Sequence, residues 1–277
     1  MARVNHKQIK RMMNEKKSKI TDKQFLTSRA LAGHFEDLAA AQSKRYHYNR
    51  RVHVNIYWKP KADELASTND RVIRINAGNP TVTKVKGRQN RYQVVCGLFA
   101  HELGHVLYTD FLKLQTWQNA LLDGRWYPGE PELLSVKDRA NEKALWEFVK
   151  EDEGNRSLFL RMAHHIANIL EDGYIEHRFL NQFPGTLGYG LEAMREREWE
   201  RMPTVTQMKE REEEGGHILE SILQIMLSYT IYGEIKYGDE PLSDERIRTV
   251  FGLLSEIDCA VMVKDLHFRK QKCNMGL

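Results

Sequence analysis

Val94-Val95-Cys96-Gly97-Leu98-Phe99-Ala100-His101-Glu102-Leu103-Gly104-His105-Val106-Leu107-Tyr108 is the stretch on which the fold turns. Apolar residues fill it almost without interruption, so it reads as a buried helix over residues 91–110. Residues four apart share a helix face, which puts the imidazoles of His101 and His105 on one side. Glu102 lies one step round, within reach of a water held between those rings. Two core histidines satisfied by hydrogen bonds are the plain alternative. The apolar helix around the motif and the small Gly104 between the rings favour a metal site.

The five residues His101 to His105 match the HExxH pattern of zinc hydrolases, in which both histidines ligate and the glutamate is the general base. Zn2+ is therefore the expected cofactor. A hydrolytic zinc site takes three protein ligands and keeps one position open, so a third ligand must lie downstream. No histidine stands at the spacing of HExxHxxGxxH. The best second segment is Met162-Ala163-His164-His165-Ile166-Ala167-Asn168-Ile169-Leu170-Glu171-Asp172-Gly173-Tyr174-Ile175-Glu176, within a helix expected over 156–181.

At about 100° per residue, Met162, Ile166, Ile169 and Leu170 form the apolar face of that helix. Asn168, Asp172 and Glu176 run along its border, and Glu171 lies almost opposite its centre. The geometry favours Asp172 as the ligand, flanked by Asn168 and Glu176 as supporting groups. Glu171 can serve instead if the helix is buried on several sides, and His165 and Glu176 remain further choices. Tyr174, Tyr189, His164 and His165 are candidate donors to a developing oxyanion. Asp110 is a candidate partner for the far nitrogen of a ligand histidine.

Around these segments the chain reads as α+β, a small sheet followed by a helical majority. Residues 1–48 form a basic N-terminal helical segment, with a weakly amphipathic helix or tail over 2–21. Thr21-Asp22 then caps a helix through Phe25, Leu26, Leu31, Phe35 and Leu38. Strands are expected at 51–58 and 71–76. Further helices are expected at 137–152, 190–200, 216–232 and 243–266, the last capped by Ser243, within a C-terminal helical region over 190–270. Glu192 to Glu214 is charge-rich and expected to be an exposed helix and loop.

The 277 residues are enough for one large domain or two small ones. No apolar run approaches the ~20 residues that span a bilayer, and no apolar segment follows the basic start as a secretory signal requires. The three cysteines form no CxxC pair, which argues against disulfides and a thiolate metal site and suits the cytoplasm. Residues 1–91 hold 21 Lys/Arg against 7 Asp/Glu, and the rest holds 21 against 31. Such a basic segment either meets an anionic partner or forms a solvated face. No aromatic-interleaved nucleic-acid motif accompanies it, which favours the solvated face and leaves nucleic acid out of the expected partners.

His101-Glu102-Leu103-Gly104-His105-Val106-Leu107-Tyr108-Thr109-Asp110 and Asn168-Ile169-Leu170-Glu171-Asp172-Gly173-Tyr174-Ile175-Glu176 together resemble paired motifs of a known family. These are the zinc metallopeptidase domains that precede von Willebrand factor A (VWA) domains, a group including relatives of the cobalt-chelatase VWA subunit and often accompanying MoxR-type AAA+ ATPases. The resemblance implies a zincin-like domain over 49–277, with its sheet at 51–76, a bound zinc and a cytoplasmic setting. It implies a peptide or protein substrate and a AAA+ ATPase or VWA-bearing partner. In zincins an extended substrate adds to the sheet edge beside the metal helix, a position expected here for 71–76. The DxSxS motif of the VWA domain does not occur in this sequence, so the resemblance further implies a shortened version or a recognition half on another polypeptide.

Overall fold

Capping chemistry and alternation account for the first elements. α1 (His6–Met13) is short and basic, and α2 (Asp22–Leu26) begins at a capping box. There the Thr21 amide donates to Gln24 Oε1 at 2.8 Å and the Gln24 amide to Thr21 Oγ1 at 3.2 Å. One helix was expected through Leu38, but the chain breaks at Thr27-Ser28 and resumes as α3 (Arg29–Arg45). The break has a local cause, since the Ser28 hydroxyl accepts from the Leu31 amide at 3.2 Å and starts a new helix. The computed structural model describes residues 6–14, 19–45, 51–131 and 135–277. Part of the expected 2–21 helix and the expected boundary at residue 48 lie outside the described residues.

β1 (His53–Tyr57), β2 (Ala66–Thr68) and β3 (Val72–Asn76) form a sheet in the order β1-β3-β2, parallel between β1 and β3 and antiparallel between β2 and β3. Val54 pairs with Ile73 and Ile56 with Ile75, all four buried, while Asn55 and Arg74 point outward. The expectation of an edge strand at 71–76 is therefore corrected, because β3 is central. The strand that covers it, Ala-Ser-Thr, is three residues long with no buried position, so alternation could not reveal it. Its hairpin with β3 rests on Asn69, whose Oδ1 accepts from Arg71 and Val72 amides at 3.2 and 2.9 Å, and on Asp70 at φ 70°.

α4 (Pro80–Thr83) leads into α5 (Arg88–Tyr108), followed by α6 (Phe111–Leu122), α7 (Val136–Glu151), α8 (Glu153–Gln182) and α9 (Thr186–Arg201). α10 (Val205–Glu213) and α11 (Ile218–Tyr232) come next, then α12 (Glu245–Phe251), α13 (Leu254–Met262) and α14 (Leu266–Gly276). Two expectations change here. α10 occupies part of the charged stretch read as helix and loop, started by a capping box between Thr204 and Gln207. The single helix expected over 243–266 is broken after Phe251 and Met262, and Asp244 rather than Ser243 caps its start by accepting from the Arg246 amide at 3.0 Å. Among the described residues no helix is long and apolar enough to cross a membrane.

The chain divides into two compact units, Met1–Thr109 with Arg178–Arg201, and Asp110–His177 with Met202–Leu277. In the first, Phe25 and Phe35 from the N-terminal helices share one core with Ile73, Ile75, Phe99 and Leu103, and the rings of Phe35 and Phe99 stack at 4.4 Å. α5 packs on β2, β3 and α9. The start of α5 is tied down by buried Arg88, which donates to Asp22 Oδ1 at 2.6 Å and to the Met12 and Ile20 carbonyls. In the second unit Trp117, Phe159, Ile166, Leu170, Ile225 and Ile257 belong to a separate core. Trp117 Nε1 donates to Asn274 Oδ1 there at 2.9 Å.

Within the first unit α5 and α9 meet backbone to backbone. A Cβ on Gly190 would lie 2.9 Å from the Gly97 amide nitrogen, and one on Gly97 would lie 2.6 Å from Met194 Cβ and still closer to the Gly190 carbonyl. In an exposed helix Gly→Ala gains about 1 kcal/mol. At Gly97 the obstacle is backbone and cannot swing aside, so overpacking decides the sign. We expect Gly97→Ala to destabilise the protein by about 3 kcal/mol, read as a lowered urea midpoint; a gain in stability would contradict the close packing.

Candidate metal centre

Fourteen of the 21 residues of α5 are buried, which is why so apolar a run is stable as a helix. His101 and His105 sit on its less covered strip, both half-buried, with ring centroids 5.0 Å apart and planes at 77°. Glu102 is only 6% exposed. At about 100° per residue its Cβ direction lies some 60° round from that of His105, beside the two rings rather than behind them. His105 Nδ1 is 3.1 Å from Thr109 Oγ1, and when Nδ1 carries the proton Nε2 is the nitrogen that can ligate.

His101, His105 and Asp172 form a group in which each residue offers one ligand atom and all these atoms lie within 4.8 Å of one another. All three are half-buried. The donor set is two imidazole nitrogens and one carboxylate oxygen, which fits zinc with three protein ligands and a fourth position for water. The group contains no cysteine, and burial pushes the Cys96 thiol, on the same helix, up to about 12.

Glu171, the neighbour of Asp172, has another engagement. Its carboxylate accepts from Arg269 Nη2 at 3.2 and 3.3 Å, with the glutamate 4% and the arginine 2% exposed. Arg269 also donates to the Val263 and Lys264 carbonyls, and its guanidinium lies 3.6 Å over the Tyr174 ring. The side of α8 opposite its apolar face is thus covered by α14. α8 is buried on several sides, yet the carboxylate on that side faces an arginine.

The remaining candidates separate. Asn168 Nδ2 lies 3.1 Å from His164 Nε2, and Gln118 Nε2 lies 3.1 Å from His164 Nδ1, so that imidazole is bracketed by two amides. Partial burial lowers the His164 pKa, and the neighbouring positive groups His165 and Lys270 act in the same direction. His165 is exposed and lines an open groove of about 570 Å³ with Leu122, Arg156 and Arg161. Glu176 and Tyr174 are buried, and Tyr189 is 65% exposed on α9. Asp110 caps α6 by accepting from the Lys113 amide at 3.1 Å. The hydroxyl found beside a His105 ring nitrogen is that of Thr109, a contact visible only once the end of α5 is known.

Scans of known family models, of curated proteins and of solved structures each found no match to this chain.

The two neighbouring carboxylates separate by experiment. Asp172→Ala should cut zinc content as His101→Ala and His105→Ala should, because each removes one of three candidate ligands. Glu171→Gln should leave zinc content unchanged and cost about 3–5 kcal/mol of stability, since it strands a buried arginine. Elemental analysis and urea denaturation read the two effects, and the reverse ranking would hand the ligand role to Glu171.

Proposed function

We propose that this chain is a zinc-dependent metallopeptidase-like hydrolase of zincin-like fold, acting on peptide bonds in the cytoplasm. The observation that carries the reading is the group His101, His105 and Asp172, with Glu102 buried next to the two histidines on the same helix. A purely structural zinc needs four protein ligands and no base. Three ligands accompanied by an adjacent carboxylate are what hydrolysis requires. The resemblance of the two helical motifs to metallopeptidase domains associated with VWA proteins supports the same reading.

His101, His105 and Asp172 would hold the ion. Zinc, when bound, supplies a Lewis acid that polarises the scissile carbonyl and lowers the pKa of the attacking water toward ~7. Glu102 accepts the proton of that water as it attacks, then returns it to the leaving amide nitrogen, so one carboxylate serves as base and then acid. Its burial beside the ligands limits competing hydration and keeps the carboxylate where the proton is released. An extended peptide would pair with β2 (Ala66–Thr68), which occupies the sheet edge and packs on α5.

Glu102→Gln tests this proposal, because it keeps the side chain's size and removes the base. Zinc content and folding should persist while cleavage of an unbiased peptide library falls at least ~10²-fold, the lower range for general acid–base catalysis. Mass spectrometry of wild type, variant and chelator-treated protein provides the comparison. Cleavage that survives in the variant would rule out Glu102 as the base. Zinc-loaded wild type that cleaves nothing would favour a zinc-binding module that assembles with a AAA+ ATPase or a VWA-bearing partner.

A further inference from the structure

The last turn of α5 closes on one residue twice. Thr109 leaves the helix with φ −85° and ψ 129°, and its amide donates to the His105 carbonyl at 3.0 Å. Its hydroxyl then lies 3.1 Å from Nδ1 of the same histidine. A neutral imidazole carries one N–H, and which nitrogen holds it decides which lone pair can ligate. When Nδ1–H donates to Thr109 Oγ1, the Nε2 lone pair is presented for a metal. In the opposite tautomer the Thr109 hydroxyl donates to Nδ1 and Nε2 bears a hydrogen, which blocks ligation there.

We infer that Thr109 is a positioning residue that sets the Nδ1–H tautomer and ring orientation of His105. This rests on the proposed role of His105 as a zinc ligand. The amide anchor fixes where the Thr109 Cα sits, so the hydroxyl needs no further loop ordering to reach the ring. A β-branched residue suits the extended backbone at this position, which makes valine a close match in shape that lacks the hydroxyl.

The test compares wild type, Thr109→Val and Thr109→Ser. Zinc affinity, measured by competition with a chromophoric chelator, should fall about 10- to 100-fold in Thr109→Val, the usual cost of losing a group that orients a ligand. It should stay close to wild type in Thr109→Ser. Long-range ¹H–¹⁵N spectra of the metal-free proteins should show His105 as the Nδ1–H tautomer in wild type and Thr109→Ser, and lose that preference in Thr109→Val. Thermal unfolding of the metal-free forms should be the same for wild type and Thr109→Val, as a merely structural role would not allow. Unchanged zinc affinity in Thr109→Val, or an Nε2–H tautomer in wild type, would overturn the inference. If wild type binds no zinc, the functional proposal fails, while the tautomer spectra still decide the role of Thr109.

Discussion

At Gly97 and Gly190 the backbones of α5 and α9 approach until no side-chain atom fits between them. That contact depends on two residues without a Cβ, and it seats the helix that carries His101, Glu102 and His105. α5 also rests on β2 and β3, with Phe99 stacked on Phe35. A helix packed against both a sheet and a second backbone has little freedom to rotate. Rotation by one residue, about 100°, would bury both imidazoles, so this packing holds the candidate ligands at the half-covered strip. Local propensity alone would not choose that strip.

In the second unit a buried ion pair plays the comparable part. Glu171 and Arg269 are almost wholly out of water, where paired charges contribute little net stability but are costly to separate. Arg269 adds two carbonyl acceptors and the face of Tyr174, so most of its donors are used. The pair ties α8 to α14 and claims the carboxylate next to Asp172. Two adjacent acids on one helix thereby acquire different environments, one locked to a guanidinium and one grouped with imidazoles.

The helix ends matter as much as the helix faces. Thr109 terminates α5 and meets His105, and Asp110 starts α6. Ser28 splits one expected helix in two. In each case a short polar side chain satisfies a backbone or ring group that the regular hydrogen-bond ladder leaves over. At α5 this ordinary termination chemistry falls beside the candidate metal ligands.

Much of this was legible in the amino-acid order, wherever the cause is local. The apolar run with histidines four apart specifies a buried helix presenting two imidazoles, because helical periodicity is a property of neighbours. The border stripe through Asp172 and the helix cap at Thr21-Asp22 are likewise short-range patterns, and Val54 and Ile56 mark a half-buried strand by alternation. Tertiary structure alone decided that β3 is central, since β2 is held there by pairing and not by an apolar pattern of its own. It also decided the fate of Glu171, whose partner stands 98 residues away, and the close approach of Gly97 to Gly190. Contacts between distant segments leave no periodic trace, because each side chain is chosen against a surface that exists only after folding.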